Sequence, residues 1–120
     1  MIDVAVVSKH LPEHPVAGEG KFAFVYFVTI TNHFDQPMQL LNRYWLITDG
    51  NGKQTEVRGP GVVGNQPLIQ PGESYEYNSG AILDTPVGSM QGYYEMQDPQ
   101  GMAFEAPINV FSLRAEKFLN

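Results

Sequence analysis

With 120 residues, no cysteine and 42% hydrophobic against 17% charged side chains, the chain reads as one folded domain, 1–120. Disulfide frameworks, thiolate zinc sites, iron–sulfur clusters and a cysteine nucleophile are excluded. The net charge of −6 is concentrated beyond Arg58, where Arg114 and Lys117 stand against seven acidic residues; that half cannot neutralise phosphates, so no nucleic-acid partner is expected.

Ile2, Val4 and Val6 alternate with their neighbours and predict a first strand. The same N-terminus carries Asp3 and too short an apolar run for a signal sequence. No stretch approaches the roughly 18 apolar residues of a membrane span, so a cytoplasmic protein away from membranes is expected. Pro12 and Pro15 argue against a regular element through 11–20. Residues 21–32, rich in β-branched and aromatic side chains, predict a central strand. Residues 39–48 resume after HFDQP, and Asp49-Gly50-Asn51-Gly52 predicts a tight hairpin returning through 53–58. A Gly/Pro loop follows, then a turn at Pro71-Gly72. Further strands are expected at 75–79, 89–97 and 102–106, the last two joined by the DPQG turn. Residues 108–118 predict a final strand.

No segment sustains helical periodicity. The expected fold is all-β: a β-sandwich of the fibronectin type III or immunoglobulin-like kind, with about 7–9 strands and no substantial helix. Tyr75, just after a turn, is a candidate for a tyrosine corner whose hydroxyl bonds the upstream backbone.

Gly59-Pro60-Gly61-Val62-Val63-Gly64 is a literal GxGxxG. In dinucleotide-binding folds such a turn opens a helix whose free N–H groups face a pyrophosphate. Pro67 and Pro71 argue against that helix here, leaving a backbone anion nest or a scaffold loop. A two-residue hairpin loop would pair Arg43 with Pro60, and a four-residue loop would pair Arg43 with Arg58. Either places both arginines on the face of Trp45, where two guanidinium groups could grip a phosphate or carboxylate. Trp45 then poses a conflict, because tryptophan favours the core while Gln54, Glu56 and Arg58 favour solvent. Either Trp45 is an exposed anchor for a partner, or a bulge shifts the register.

His10, Glu13 and His14 are weak metal candidates, since the prolines remove the helix that would make them converge. His33 and Asp35 are weaker still. No GxSxG, HExxH or Ser/His/Asp set appears, and the carboxylates are scattered singly.

Asn42-Arg43-Tyr44-Trp45, Val62-Val63-Gly64 with Gln66-Pro67, Pro71-Gly72-Glu73-Ser74 and Thr85-Pro86-Val87-Gly88-Ser89-Met90 together resemble the ApaG (CorD) family over nearly the whole length. Pro60 and Asn65 stand where that family usually has acids, and Ala81 where it usually has cysteine. The resemblance implies a fibronectin type III-like sandwich, a genetic link to cobalt resistance and magnesium efflux, and gene proximity to a diadenosine tetraphosphate hydrolase. It also implies protein-interaction roles for related domains. It carries over no catalytic residue.

The expectation is a non-enzymatic binding module acting through protein–protein contact, with no cofactor. Its candidate surface is Arg43, Trp45, Arg58 and the backbone of Gly59, Gly61 and Gly64. The alternative is a small-ligand module for phosphate, nucleotide or a divalent cation. Open sheet edges would also permit a homodimer.

Overall fold

The computed structural model describes residues 1–115. Its elements are β1 (Ile2–His10), a 3-10 turn (Pro15–Glu19), β2 (Phe22–Asn32), β3 (Met38–Asp49), β4 (Gln54–Pro60), β5 (Leu68–Ile69), β6 (Ser74–Leu83), β7 (Val87–Gln97) and β8 (Ala103–Arg114). Two antiparallel sheets face each other, ordered β1-β2-β6 and β4-β3-β7-β8, with β5 pairing beside β3. This is the expected sandwich. Among the described residues no helix is long and apolar enough to cross a membrane.

The elements depart from the expectation in three places. A single 3-10 turn forms in the proline segment, with Pro15 at its start and the His14 imidazole accepting from the Val16 N–H. The dipeptide strand β5 was not foreseen. The stretches 102–106 and 108–118 join into one strand through Pro107. Proline is tolerated there because β8 is an edge strand and needs no donor on its open side. Residues 116–118 of the expected final strand lie outside the described residues.

Two hairpins share one turn. Asp49 N–H donates to the Lys53 carbonyl, Gly52 N–H donates to Asp49, and Gly52 has φ 84°. Asp98 N–H likewise donates to Met102, and Gly101, at φ 85°, donates to Asp98. In each, the aspartate Oδ1 accepts two backbone N–H bonds: from Asn51 and Lys53, and from Gln100 and Met102. These are three-residue loops with a left-handed glycine.

The loop length decides what faces inward. Three residues, rather than two or four, pair Arg43 with Gly59, Tyr44 with Arg58 and Trp45 with Val57. A bulge at Leu41, between Leu40 and Asn42, supplies a second parity change. Through it Met38 and Leu40 on one side, and Trp45 on the other, all reach the core. A third irregularity, between Met90 and Gly92, does the same for Ile108 and Leu113 of β8.

Trp45 is the centre of that core, 2% exposed. Tyr26 meets its ring edge-on at 5.3 Å, Phe111 at 5.8 Å and Tyr94 at 6.3 Å. Opposite it on β7 stands Gly92, where an added Cβ would collide with the Tyr44 carbonyl oxygen. Close approach of β3 and β7 therefore requires glycine. Two buried polar side chains fix the loops. Asn32 donates to the carbonyls of Gln36 and Ile69 and accepts from Phe34 N–H. Thr85 accepts from Gly50 N–H and donates to Val87.

Candidate functional site

The register separates the residues that the sequence grouped. Trp45 is core, so it is not an exposed anchor. Arg43 follows Trp45 to the inner side of β3, while Arg58 lies on the outer side beside Tyr44. The expected paired guanidinium grip does not form, because the three-residue loop shifts Arg58 by one position.

Arg43 instead braces the glycine loop. Its Nη1 donates to the carbonyls of Pro60 and Gly61, each at 3.1 Å. Its guanidinium lies against Gly59, where an added Cβ would stand 2.9 Å from Nη1. Gly59 itself belongs to β4, in register with Arg43. Gly61 N–H donates to Leu41, and Val62 and Asn65 exchange backbone bonds of 2.8 and 3.0 Å. Val63 and Gly64, with φ 47° and 82°, form the two-residue tip of that hairpin. The amides of Gly61 and Val62 are thus used within the fold, and no helix follows. GxGxxG here is half strand and half type I′ turn. Val63 is a β-branched residue held in the left-handed region, a strain of about 1–3 kcal/mol.

The outer side of the β4-β3-β7-β8 sheet carries a different constellation. Arg58, Tyr44, Tyr93 and Pro107 form one row across the four strands. The Arg58 guanidinium lies over the Tyr44 ring at 4.3 Å from its centroid, and Tyr44 stacks on Tyr93 at 5.0 Å. The Tyr44 hydroxyl donates to Glu56 at 2.6 Å, and Glu56 approaches Arg58 at 3.7 Å. In the next row, Asn42 donates to Glu95 at 2.5 Å. A groove of about 370 Å³ runs between these rows, lined by Arg43, Tyr44, Arg58, Pro60, Tyr93 and Glu95 among others, so both arginines border it although their guanidinium groups are engaged on different sides of the sheet.

The electrostatics follow the geometry. The Glu56 carboxylate accepting from Tyr44 holds that phenol above its ordinary 10.0. Arg58 is held above its ordinary value, first by the Tyr93 hydroxyl it meets. On the inner side, burial pushes Tyr26, Tyr77 and Tyr94 up, and the Arg43 charge opposes the rise in each. Tyr77 and Tyr94 share a short hydroxyl–hydroxyl bond.

The weak metal candidates do not converge. His10 is buried against Phe22 and Phe24, and His14 caps the 3-10 turn. Among the described residues no three His, Cys, Asp or Glu side chains gather where a metal could bind. The Tyr75 hydroxyl accepts from the Asn65 side chain at 3.3 Å, a bond to a side chain and not the tyrosine-corner bond to the upstream backbone.

Sequence reasoning did not single out Tyr93 or Glu95, and it met Asn42 and Tyr44 as part of a family motif rather than as site candidates. The signal was present in Asp49-Gly-Asn-Gly-Lys53 and its twin Asp98-Pro-Gln-Gly-Met102. An aspartate three residues before a glycine marks the three-residue loop, and that loop sets Arg58 opposite Tyr44 rather than Arg43.

A family model described as the ApaG domain matches residues 12–98. Protein ApaG of Enterobacter sp. (strain 638) is 49% identical over 117 residues, covering 98% of this chain and 94% of that relative. The X-ray structure of structural-genomics target SoR45 superposes with a TM-score of 0.92 at 41% identity, covering 99% of this chain and 90% of that one. A crystal structure from Bordetella pertussis, described as an ApaA protein, gives 0.91 at 44% identity over 95% and 93% of the two chains.

Proposed function

The chain belongs to the ApaG domain family, and on that premise we propose that it is a non-enzymatic module that binds a protein partner through the outer face of β3, β4 and β7. The observation that carries this reading is the Arg58–Tyr44–Tyr93 stack beside an open groove. Tyrosine and arginine are enriched among the residues that dominate protein interfaces; tyrosine offers large contact area with few rotatable bonds and a polar tip, and arginine a planar fork of donors. Here cation–π contact, ring stacking and the Glu56 bond hold the side chains in place before a partner arrives, which lowers the entropy cost of docking. The partner contact moves accordingly from Arg43 and Trp45 to Tyr44, Arg58 and Tyr93. The link to cobalt resistance and magnesium efflux that the family resemblance implies would run through that partner.

The test is affinity capture from cell lysate with the unmodified chain and with a Tyr44→Ala/Arg58→Ala double variant of unchanged circular dichroism. The reading expects a protein held by the first and lost by the second. An identical set of captured proteins would refute it.

A further inference from the structure

The two sheets meet closely along β1 and β8, where the Ser8 hydroxyl donates to the Ser112 carbonyl. On the opposite side, the β4 and β6 edges leave a seam. At its inner end lies a cavity of about 170 Å³ whose polar lining is Arg43, Tyr26, Ser79 and Tyr77. The Val62–Val63 turn and the Trp45 ring supply its apolar walls.

Every charged or hydroxyl group in that lining is a donor or a neutral hydroxyl, and no carboxylate lines it. Arg43 is half-buried, and among the described residues it has no anionic partner. The three ion pairs among the described residues use Lys21, Lys53 and Arg58 instead. Only Nη1 of Arg43 is engaged, by the carbonyls of Pro60 and Gly61. A partly desolvated guanidinium with open donors gains most from an oxyanion, which it can bind through two parallel bonds. Tyr26 and Ser79 stand directly opposite each other on β2 and β6, and the serine hydroxyl opposes the rise that burial imposes on the phenol. The Tyr26 hydroxyl, kept neutral by burial, retains its own proton to donate. Drug-sized ligands take pockets of roughly 300–1,000 Å³, so this one suits a single compact group.

We propose that this seam cavity binds a compact oxyanion, a carboxylate or phosphate group, through Arg43 with Tyr26 and Ser79. Arg43 is shared with the lining of the outer-face groove, whereas Tyr26 and Ser79 line this cavity and not that groove; the proposal makes no use of the glycine-loop amides.

The experiment is an NMR titration of the isotope-labelled full chain with inorganic phosphate and, separately, with acetate, at constant ionic strength. The expected result is a saturable shift of the Arg43 Nε–H and the Tyr26 and Ser79 amides with at least one of the two anions. Saturation with acetate alone assigns a carboxylate, and with phosphate alone a phosphate. Arg43→Lys should weaken binding by about tenfold or more, since a charge-assisted hydrogen bond is lost. Because Arg43 also braces the turn, Tyr26→Phe and Ser79→Ala serve as variants that keep that brace, and each should weaken binding several-fold. Lys21→Gln, outside that lining, should leave the anion affinity unchanged. Linear shifts with both anions, shifts centred on Arg58 or Lys53, or equal affinity in Tyr26→Phe and Ser79→Ala would overturn the proposal.

Discussion

The two sides of β3 use similar chemistry for opposite ends. Inside, Arg43 and Trp45 sit next to one another on the strand face: the indole fills the core, and the guanidinium braces a turn through two carbonyls. Outside, Tyr44 with Arg58 again sets an aromatic ring beside a guanidinium, but the pair faces solvent and is held by Glu56 and Tyr93. Residue type does not decide which pair is structural and which is free to bind. Strand parity does, and parity is set by two local features: the three-residue loop after Asp49 and the bulge at Leu41.

The largest expected effect breaks the inner side. Trp45→Ala should cost about 3–5 kcal/mol, the range for deleting a large buried aromatic, while Tyr44→Ala should leave the urea midpoint almost unmoved. Gly92→Ala should be comparably severe at about 3 kcal/mol, since the new methyl meets the Tyr44 carbonyl rather than a flexible side chain. Equal urea midpoints for Trp45→Ala and Tyr44→Ala would dissolve the distinction between the faces.

Alkaline pH sharpens the comparison from the inner side. Burial raises Tyr26, Tyr77 and Tyr94 above their ordinary 10.0, so the folded state favours their neutral forms. Their contribution is fully present below pH 10.0 and is lost as pH rises above it toward the raised values. Stability should therefore be level through neutral pH and fall beyond about pH 10. Tyr94→Phe should make that fall shallower. A urea midpoint that stays constant from pH 9 to pH 11.5 would contradict the placement of these phenols in the core.

The turns should give a smaller, matched pair of effects. Asp49→Ala and Asp98→Ala each remove an acceptor of two backbone N–H bonds, and each should cost about 1–2 kcal/mol. A large effect at one and none at the other would show that the two loops do not share a mechanism. Smallest is Val63→Asn, which puts a residue tolerant of positive φ at the tip of the glycine loop. It should raise stability by up to about 1 kcal/mol in thermal or urea unfolding.

The fold was largely legible in the sequence because its signals are local. Alternation at Ile2–Val4–Val6, the β-branched run at 21–32 and the Asp-Gly, Pro-Gly and Asp-Pro turns each mark an element without reference to distant residues. The site was less legible because parity is a cumulative property. One residue at Leu41 and one in the Asp49–Lys53 loop are enough to move Tyr44 outward and Arg43 inward, and neither changes the composition of the strand. Trp45 exposed the problem, since its preference for the core conflicted with Glu56 and Arg58 under both expected loop lengths. The inner role of Arg43 was hidden for a further reason: its acceptors are backbone carbonyls of a loop 17 and 18 residues away.

The central claim is that the outer face of β3, β4 and β7 is the surface a partner meets. A photo-crosslinking side chain placed at Gln91, which lies beside Leu46 on that face, tests it without altering Tyr44, Arg58 or Tyr93. The matched control is the same side chain at Glu76, on the outer face of the other sheet. The account predicts a discrete protein adduct from position 91 on irradiation in cells and none from position 76. An adduct from position 76 alone, or none from either, would contradict it.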